Sequence, residues 1–456
     1  MKLRLYEVAK VVGAKNDITE FDDVDLRQIE FDSRKITNGD LFLPLKGSRD
    51  GHDFIDLAFQ NGAVATLSEK AIEGHPYLLV ENCLTAFQQL AAYYVERSRV
   101  DVIAVTGSNG KTTTKDMIAQ LLSTTYNTYK TQGNYNNEIG LPYTILHMPD
   151  NTEKLVLEMG QDHLGDIKLL SEIAKPHIGV VTLVAEAHLE FFGSREKIAE
   201  GKMQITDGMG SDGILIAPAD SIIDSYLPKN QTTIRFGADE DIYITDLQEA
   251  RASLTFKTNF LEESVYLPVT GKYNATNAMI AAYVAKLLMV SDQDIYRAFK
   301  ALELTKNRTE WKKAGNGADI LSDVYNANPT AMKLILETFS SIPQNEGGKK
   351  LAVLADMKEL GDASITLHES ILDSLSVDNL DMLFFYGQDI RSLSDLARRR
   401  FPENTVFFFE KSDTKDDFDA LSQAIVDNLS KDDQILLKGS HSMKLADIVT
   451  RLENLE

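Results

Sequence analysis

Val102-Ile103-Ala104-Val105-Thr106-Gly107-Ser108-Asn109-Gly110-Lys111-Thr112-Thr113-Thr114 is the stretch on which the fold turns. Four apolar β-formers run into a glycine-containing turn, and helical composition follows from Lys115 to Leu122. Glycines let such a turn curl until several backbone N–H groups point at one phosphate. The helix N-terminus adds positive potential, and Lys111 supplies a mobile charge for the outer phosphates. Thr112 or Thr113 can then offer a hydroxyl to magnesium. The spacing departs from the standard pattern, because Val105 stands where its first glycine would be. A glycine-rich strand-to-helix turn without a ligand is the plainer reading of the same residues.

Working outward, further apolar runs alternate with helical segments: Leu155 to Leu157, Ile178 to Val184, and Ile214 to Ile216. Strands separated by helices predict a mainly parallel sheet covered on both faces. Glu158 ends one run and His188 follows another, so both are placed near the carboxyl edge, where open sheets bind ligands. A carboxylate there suits magnesium, which takes hard oxygen ligands. Residues 231 to 269 read as short polar strands, and a helix from Ala275 to Leu288 follows with Asn274 as its N-cap. A third block runs through Ile320–Val324, Leu351–Leu354, Met382–Tyr386, Val406–Phe409 and Ile435–Leu437, five strands of a second, Rossmann-like doubly wound sheet. The turn Gly315-Asn316-Gly317 marks its start. The expected fold is α/β with three domains: a small α/β domain over 1–82, a central phosphate-loop domain over 99–312, and the doubly wound domain over 313–456.

The composition is that of a soluble globular chain, 43% hydrophobic and 25% charged over 456 residues, with no apolar run long enough to cross a bilayer. The charge of −22 disfavours nucleic acid as a partner. Arg398-Arg399-Arg400 reads as a solvated helix end. A single cysteine, Cys83, leaves no internal disulfide, and the early charges of the N-terminus do not form a secretory segment. The expected location is the cytoplasm, with no membrane insertion.

Taken together, Thr106 to Thr113, Glu158-Met159-Gly160, His188 and Asn307-Arg308-Thr309-Glu310-Trp311 resemble the Mur ligases, which build the peptide stem of the bacterial cell-wall precursor. The resemblance covers the whole chain. Asp323-Val324-Tyr325-Asn326-Ala327-Asn328-Pro329, Leu354 to Gly361 and Leu437 to Met443 are similar to the branch that adds D-alanyl-D-alanine to UDP-N-acetylmuramoyl-tripeptide. Asp32-Ser33-Arg34 and Leu43 to Phe54 resemble a uridine-nucleotide segment of that family, which makes Ser33, Arg34, Lys46, Arg49 and His52 substrate-binding candidates and 1–82 the domain for the UDP substrate.

The resemblance implies an acyl phosphate mechanism using ATP and two magnesium ions. By position, Lys111 would hold the outer phosphates, Thr112 and Glu158 one magnesium, and His188 the other. Lys202 resembles the lysine that reacts with CO2 to become a carbamate and support that second ion, although Gln204 stands where many relatives carry Glu. Thr106, Gly107, Ser108, Asn109, Gly110, Thr113 and Asn137 would surround the phosphates, Asn274 and Asn277 the adenine side, and Arg308 and Asp323 would reach the nucleotide from the domain junction. Asn134, Asn136, Tyr325, Asn326, Asn328, Lys438 and Ser440 would meet the peptide substrates. The chain is expected to act as a monomer. Rival readings are a sister Mur ligase or a folylpolyglutamate synthase, which the third-domain motifs and the uridine segment discriminate, and a non-catalytic nucleotide-dependent binding protein.

Overall fold

Strands and helices alternate through three consecutive α/β units in the computed structural model, which describes residues 3–303, 308–412 and 416–455. The first unit carries four parallel strands in the order Ile29–Glu30, Asp40–Phe42, Ala63–Ser68, Tyr77–Leu79. The helix Cys83–Ser98 leads out of it, capped by the Asn82 side chain, which accepts from the Thr85 amide at 2.8 Å. Its buried face, with Phe87, Leu90 and Tyr94, packs on the helices Leu5–Val12, Gly140–His147 and Asp166–Ala174. One hydrophobic core therefore runs from the first unit into the second.

The central sheet is six-stranded and wholly parallel, ordered Thr232–Phe236, Ile214–Pro218, Ile178–Val181, Asp101–Thr106, Lys154–Glu158, Thr128–Lys130. Alternation along the strand Asp101–Thr106 sends Val102 and Ala104 into the core shared with the first unit. Ile103 and Val105 enter a second core, under the helices Lys111–Leu122 and Tyr273–Leu287. Burial on both faces is why the run reads as continuously apolar. A three-stranded antiparallel sheet, Ile244–Ala250, Ser253–Thr258 and Val265–Leu267, closes over that second core. Chain order reverses on the two sides of Asp101–Thr106, which leaves a crevice at the carboxyl ends of the strands.

Two local expectations are corrected. Asn274 is not the N-cap: the turn closed by Asn274 N–H on the Gly271 carbonyl (2.8 Å) starts the helix at Tyr273, and the Asn274 side chain donates back to the Thr270 carbonyl at 2.7 Å. The strand Ile178–Val181 stops short of Val184, because Leu183 turns its carbonyl to the Ser108 amide (2.7 Å).

The third unit holds the five expected parallel strands, Asp319–Asp323, Gln434–Lys438, Lys350–Ala355, Met382–Tyr386 and Val406–Phe409 in spatial order. The sheet is nevertheless mixed: Glu310–Lys313 adds an antiparallel edge strand beside Asp319–Asp323, and the Gly315-Asn316-Gly317 turn is their hairpin. Charged and only partly buried, that edge strand carries no apolar run by which to be recognised. Among the described residues no helix is long and apolar enough to cross a membrane.

The helix Pro329–Ser341 points its N-terminus at the phosphate loop, and its far end is held by Lys350, only 2% exposed, whose ammonium donates to the Phe339 and Ile342 carbonyls. Burial lowers the Lys350 pKa from 10.5 to about 8. The unfolded chain thus holds the extra proton between those pH values, so stability rises with pH across that window. Lys350→Met is expected to remove this rise and to cost about 1–3 kcal/mol at neutral pH through unpaired carbonyls. Urea unfolding at pH 7 and pH 10 reads both effects.

Candidate active site

The loop between the strand Asp101–Thr106 and the helix Lys111–Leu122 is pinned from all sides. Gly107 lies at φ 150°, and a Cβ there would sit 1.9 Å from Thr182 Oγ1. That hydroxyl donates to the Asn109 carbonyl at 2.6 Å, Thr106 Oγ1 donates to the Met159 carbonyl at 2.9 Å, and Ser108 Oγ donates to the Ala185 carbonyl at 2.9 Å. Gly110, at φ 81°, precedes the helix, and a Cβ on it would meet Asn277 Oδ1 at 2.7 Å. No side chain among the described residues caps this helix. Lys111, Thr112 and Thr113 present its first turn to the cleft, an arrangement suited to an anion. The Lys111 ammonium folds back on the Gly107 carbonyl at 2.6 Å. Burial lowers its pKa, against the opposing pull of Glu158.

Glu158, 3% exposed, is the last residue of its strand. Thr112 Oγ1 donates to its Oε2 at 2.8 Å and Asn136 Nδ2 to its Oε1 at 2.9 Å. Among the described residues no three His, Cys, Asp or Glu side chains converge as a metal cage. The hydroxyl and carboxylate of Thr112 and Glu158 instead fit a hard ion that completes its shell with phosphate and water, as magnesium does.

Lys202 sits on the helix Arg195–Met203 with 2% exposure, lining the same cleft. Burial first, and the nearby Lys111 charge second, push its pKa well below the ordinary lysine range. His188, at φ 60°, turns Nδ1 toward the third unit. That atom is 2.6 Å from Glu359 Oε2 and 3.5 Å from Asp162 Oδ1. The contact holds the Glu359 carboxyl below the usual range. Neither carboxylate is signalled by the sequence. Glu359 lies within the quoted 354–361 motif, but its approach to His188 depends on how the units meet.

The third unit closes the cleft. Asn109 and Asn328 exchange side-chain amide hydrogen bonds of 3.2 and 2.9 Å, and Asn328 Oδ1 also accepts from the Ala331 amide to cap the helix Pro329–Ser341. Thr330 Oγ1 donates to Glu186 at 2.7 Å. The Arg308 guanidinium stacks 4.1 Å from the Tyr325 ring with its Nε unpaired, and Asp323 accepts from the Thr309 amide at 3.2 Å. Lys438 donates to Asp323 and to the Asn326 carbonyl, each at 2.7 Å, while Ser440 Oγ accepts from the Lys358 amide at 2.9 Å. Asn307, quoted with Arg308 in the family resemblance, lies outside the described residues. Asn277 donates to Asn274 at 3.2 Å, and Asn137 accepts from the Gly140 amide at 2.9 Å; these three and Asn134 line the cleft. Its volume is about 960 Å³, with walls from Lys111, Glu158, Lys202, Asn277, Asp323 and Lys438.

Ser33, Arg34, Lys46, Arg49 and His52 are not among the residues lining that cleft and lie on the first unit. The exposed Arg34 forks onto Asp32 with two bonds of 2.8 Å, pulling that carboxyl down to about 2. Lys46 pairs with Glu69. His52 is engaged at both nitrogens, Nδ1 2.7 Å from Asp50 and Nε2 accepting from the Glu69 amide at 3.1 Å. Arg49 is exposed and Ser33 buried.

A phosphate loop, a carboxylate at the adjoining strand end and a closing third α/β unit define a nucleotide-using enzyme site. Three family models match the chain in succession: the Mur ligase family catalytic domain over 25–106, the Mur ligase middle domain over 105–285, and the Mur ligase glutamate ligase domain over 307–441. The UDP-N-acetylmuramoyl-tripeptide--D-alanyl-D-alanine ligase of Bacillus subtilis is 39% identical, covering 99% of this chain and 98% of its own. A crystal structure of MurF from Acinetobacter baumannii superposes with a TM-score of 0.89 at 28% identity over 100% of this chain and 99% of that one. MurF ligase from Thermotoga maritima, solved in complex with ADP, gives 0.81 at 30% identity over 94% and 97%. The chain belongs to the Mur ligase family.

Because the loop has no room at position 107, Gly107→Ala is expected to abolish ADP binding measured by titration calorimetry. The chain should still unfold cooperatively, since the strand beneath is untouched.

Proposed function

We propose that this chain joins D-alanyl-D-alanine to UDP-N-acetylmuramoyl-tripeptide with cleavage of ATP to ADP and phosphate, working as a cytoplasmic monomer. The observation that carries the reading is one cleft in which the phosphate loop, Glu158 and the third unit converge, on a chain alignable end to end with the Bacillus subtilis ligase.

An amide forms from a carboxylate and an amine only if a carboxylate oxygen becomes a leaving group. The tripeptide carboxylate attacks the γ-phosphorus of ATP, giving an acyl phosphate and ADP. The dipeptide amine then attacks the acyl carbon, the C–O bond breaks, and inorganic phosphate leaves. The work of the protein is positioning and neutralising charge on oxygen. The amides of the 107–113 loop and Lys111 hold the phosphates. Thr112 and Glu158 are placed to hold a magnesium ion, which when bound neutralises phosphate oxygens. Asn274 and Asn277 face the adenine side, and Arg308 and Asp323 reach the nucleotide from the junction. Asn134, Asn136, Tyr325, Asn326, Lys438 and Ser440 meet the peptide substrates, Asn328 acting through its bonds to Asn109 and its helix. The first-unit set of Ser33, Arg34, Lys46, Arg49 and His52 receives the uridine diphosphate. Closure of the third unit keeps water from the acyl phosphate.

Lys202 would carry a carbamate that, with His188, would help hold a second magnesium when it is bound. Its buried amine, favoured in the neutral form, attacks CO2 to form an N–C bond and releases a proton. Lys202→Ala is expected to lower activity about 10–100-fold. The parent enzyme should slow in CO2-depleted buffer and recover with bicarbonate; full activity without CO2 removes the carbamate. For the reaction itself, phosphate release with ATP, magnesium and UDP-N-acetylmuramoyl-tripeptide is expected to depend on D-alanyl-D-alanine. Release indifferent to the dipeptide would sink this substrate assignment.

A further inference from the structure

We propose that Lys115 is a positioning residue that balances the charge of Glu158 and thereby keeps a divalent ion out of the site until nucleotide phosphates arrive. The proposal rests on the nucleotide and metal reading of Glu158 given above. Lys115 lies in the second turn of the helix Lys111–Leu122, where a lysine would ordinarily reach solvent, yet it is 2% exposed. Lysines are almost never buried unless paired. Its ammonium donates to the Thr131 carbonyl at 3.0 Å, and lies 3.3 Å from Asp116 Oδ1 and 3.7 Å from Glu158 Oε2. The same Asp116 oxygen also takes Lys130 at 2.7 Å, so Asp116 is shared between two ammonium groups and leaves part of the Lys115 charge for Glu158. Thr131 ties the arrangement together, for its Oγ1 accepts from the Glu158 amide at 3.0 Å.

Glu158 thus has a hydrogen-bond donor on each oxygen, Thr112 and Asn136, a cation behind it, and Lys111 beside it. A free dication approaching Glu158 meets two ammonium groups within its field, which offset the pull of that carboxylate. Nucleotide phosphates reverse the sign of the local charge, and the ion enters with them.

Mn2+ serves as the probe, its free electron paramagnetic resonance signal being titrated against the full chain with and without ADP. The parent is expected to take up Mn2+ well only with ADP. Lys115→Met and Lys115→Gln, which remove the charge, should bind Mn2+ without ADP roughly tenfold or more tightly than the parent. Lys115→Arg should restore the parent behaviour, a rescue and a gain that structural damage would not produce. If the Met variant fails to fold, the Gln variant, which keeps a donor for Thr131, decides. Folded neutral variants whose ADP-free affinity equals or falls below the parent's overturn the proposal. A parent that binds no Mn2+ even with ADP overturns the metal reading of Glu158 instead.

Discussion

The approach of Thr182 to Gly107 is the constraint from which the site follows. With no side chain at 107, the loop backbone settles against the neighbouring strand end, and Thr182 Oγ1 ties down the Asn109 carbonyl. This sets where Gly110 turns and so where the first helical amides point. It also brings Thr112 onto Glu158, which the adjacent parallel strand delivers in register with Val105. Lys111 and Glu158 therefore share one edge because two paired strands end together. A short deviation in the loop would separate donors and carboxylate at once.

The third unit builds on this edge. Asn328 caps its helix and meets Asn109 with the same side chain, so the orientation of a whole helix is coupled to one loop residue. Further along the contact, Glu359 reaches His188 and the Glu190 amide donates to the Glu359 carbonyl at 3.0 Å. Elsewhere, Arg251, in the turn between the strands Ile244–Ala250 and Ser253–Thr258, pairs with Asp319 and packs on Trp311. The third unit is thus tied to the central one at several points.

Much of the architecture is legible in sequence, since buried parallel strands are continuous apolar runs and the glycines of a phosphate loop are required by backbone geometry. The three-unit α/β fold and the five parallel strands of the third sheet follow from that pattern alone. The edge strand Glu310–Lys313 does not, because its pairing is antiparallel and its residues are charged. At the site, Lys111 and Glu158 can be singled out by position and Lys202 only by the family resemblance, and the structure lines one cleft with all three. What local pattern cannot supply is side-chain partnership at long separation. His188 facing Glu359, Asn109 paired with Asn328, and Lys115 turned inward to Thr131 each join segments that only the folded chain brings together. Asn274 shows the reverse error: a good capping residue is overruled by the turn at Gly271.

The bond between Asn109 and Asn328 has one more consequence, arising from its neutrality. A charged contact between the same two units, Arg251 with Asp319, is open to mobile ions on its arginine side, the screening length being about 8 Å at physiological ionic strength. A pair of carboxamides feels little of this. Rising ionic strength therefore acts on that charged contact before it acts on the bond at the phosphate loop.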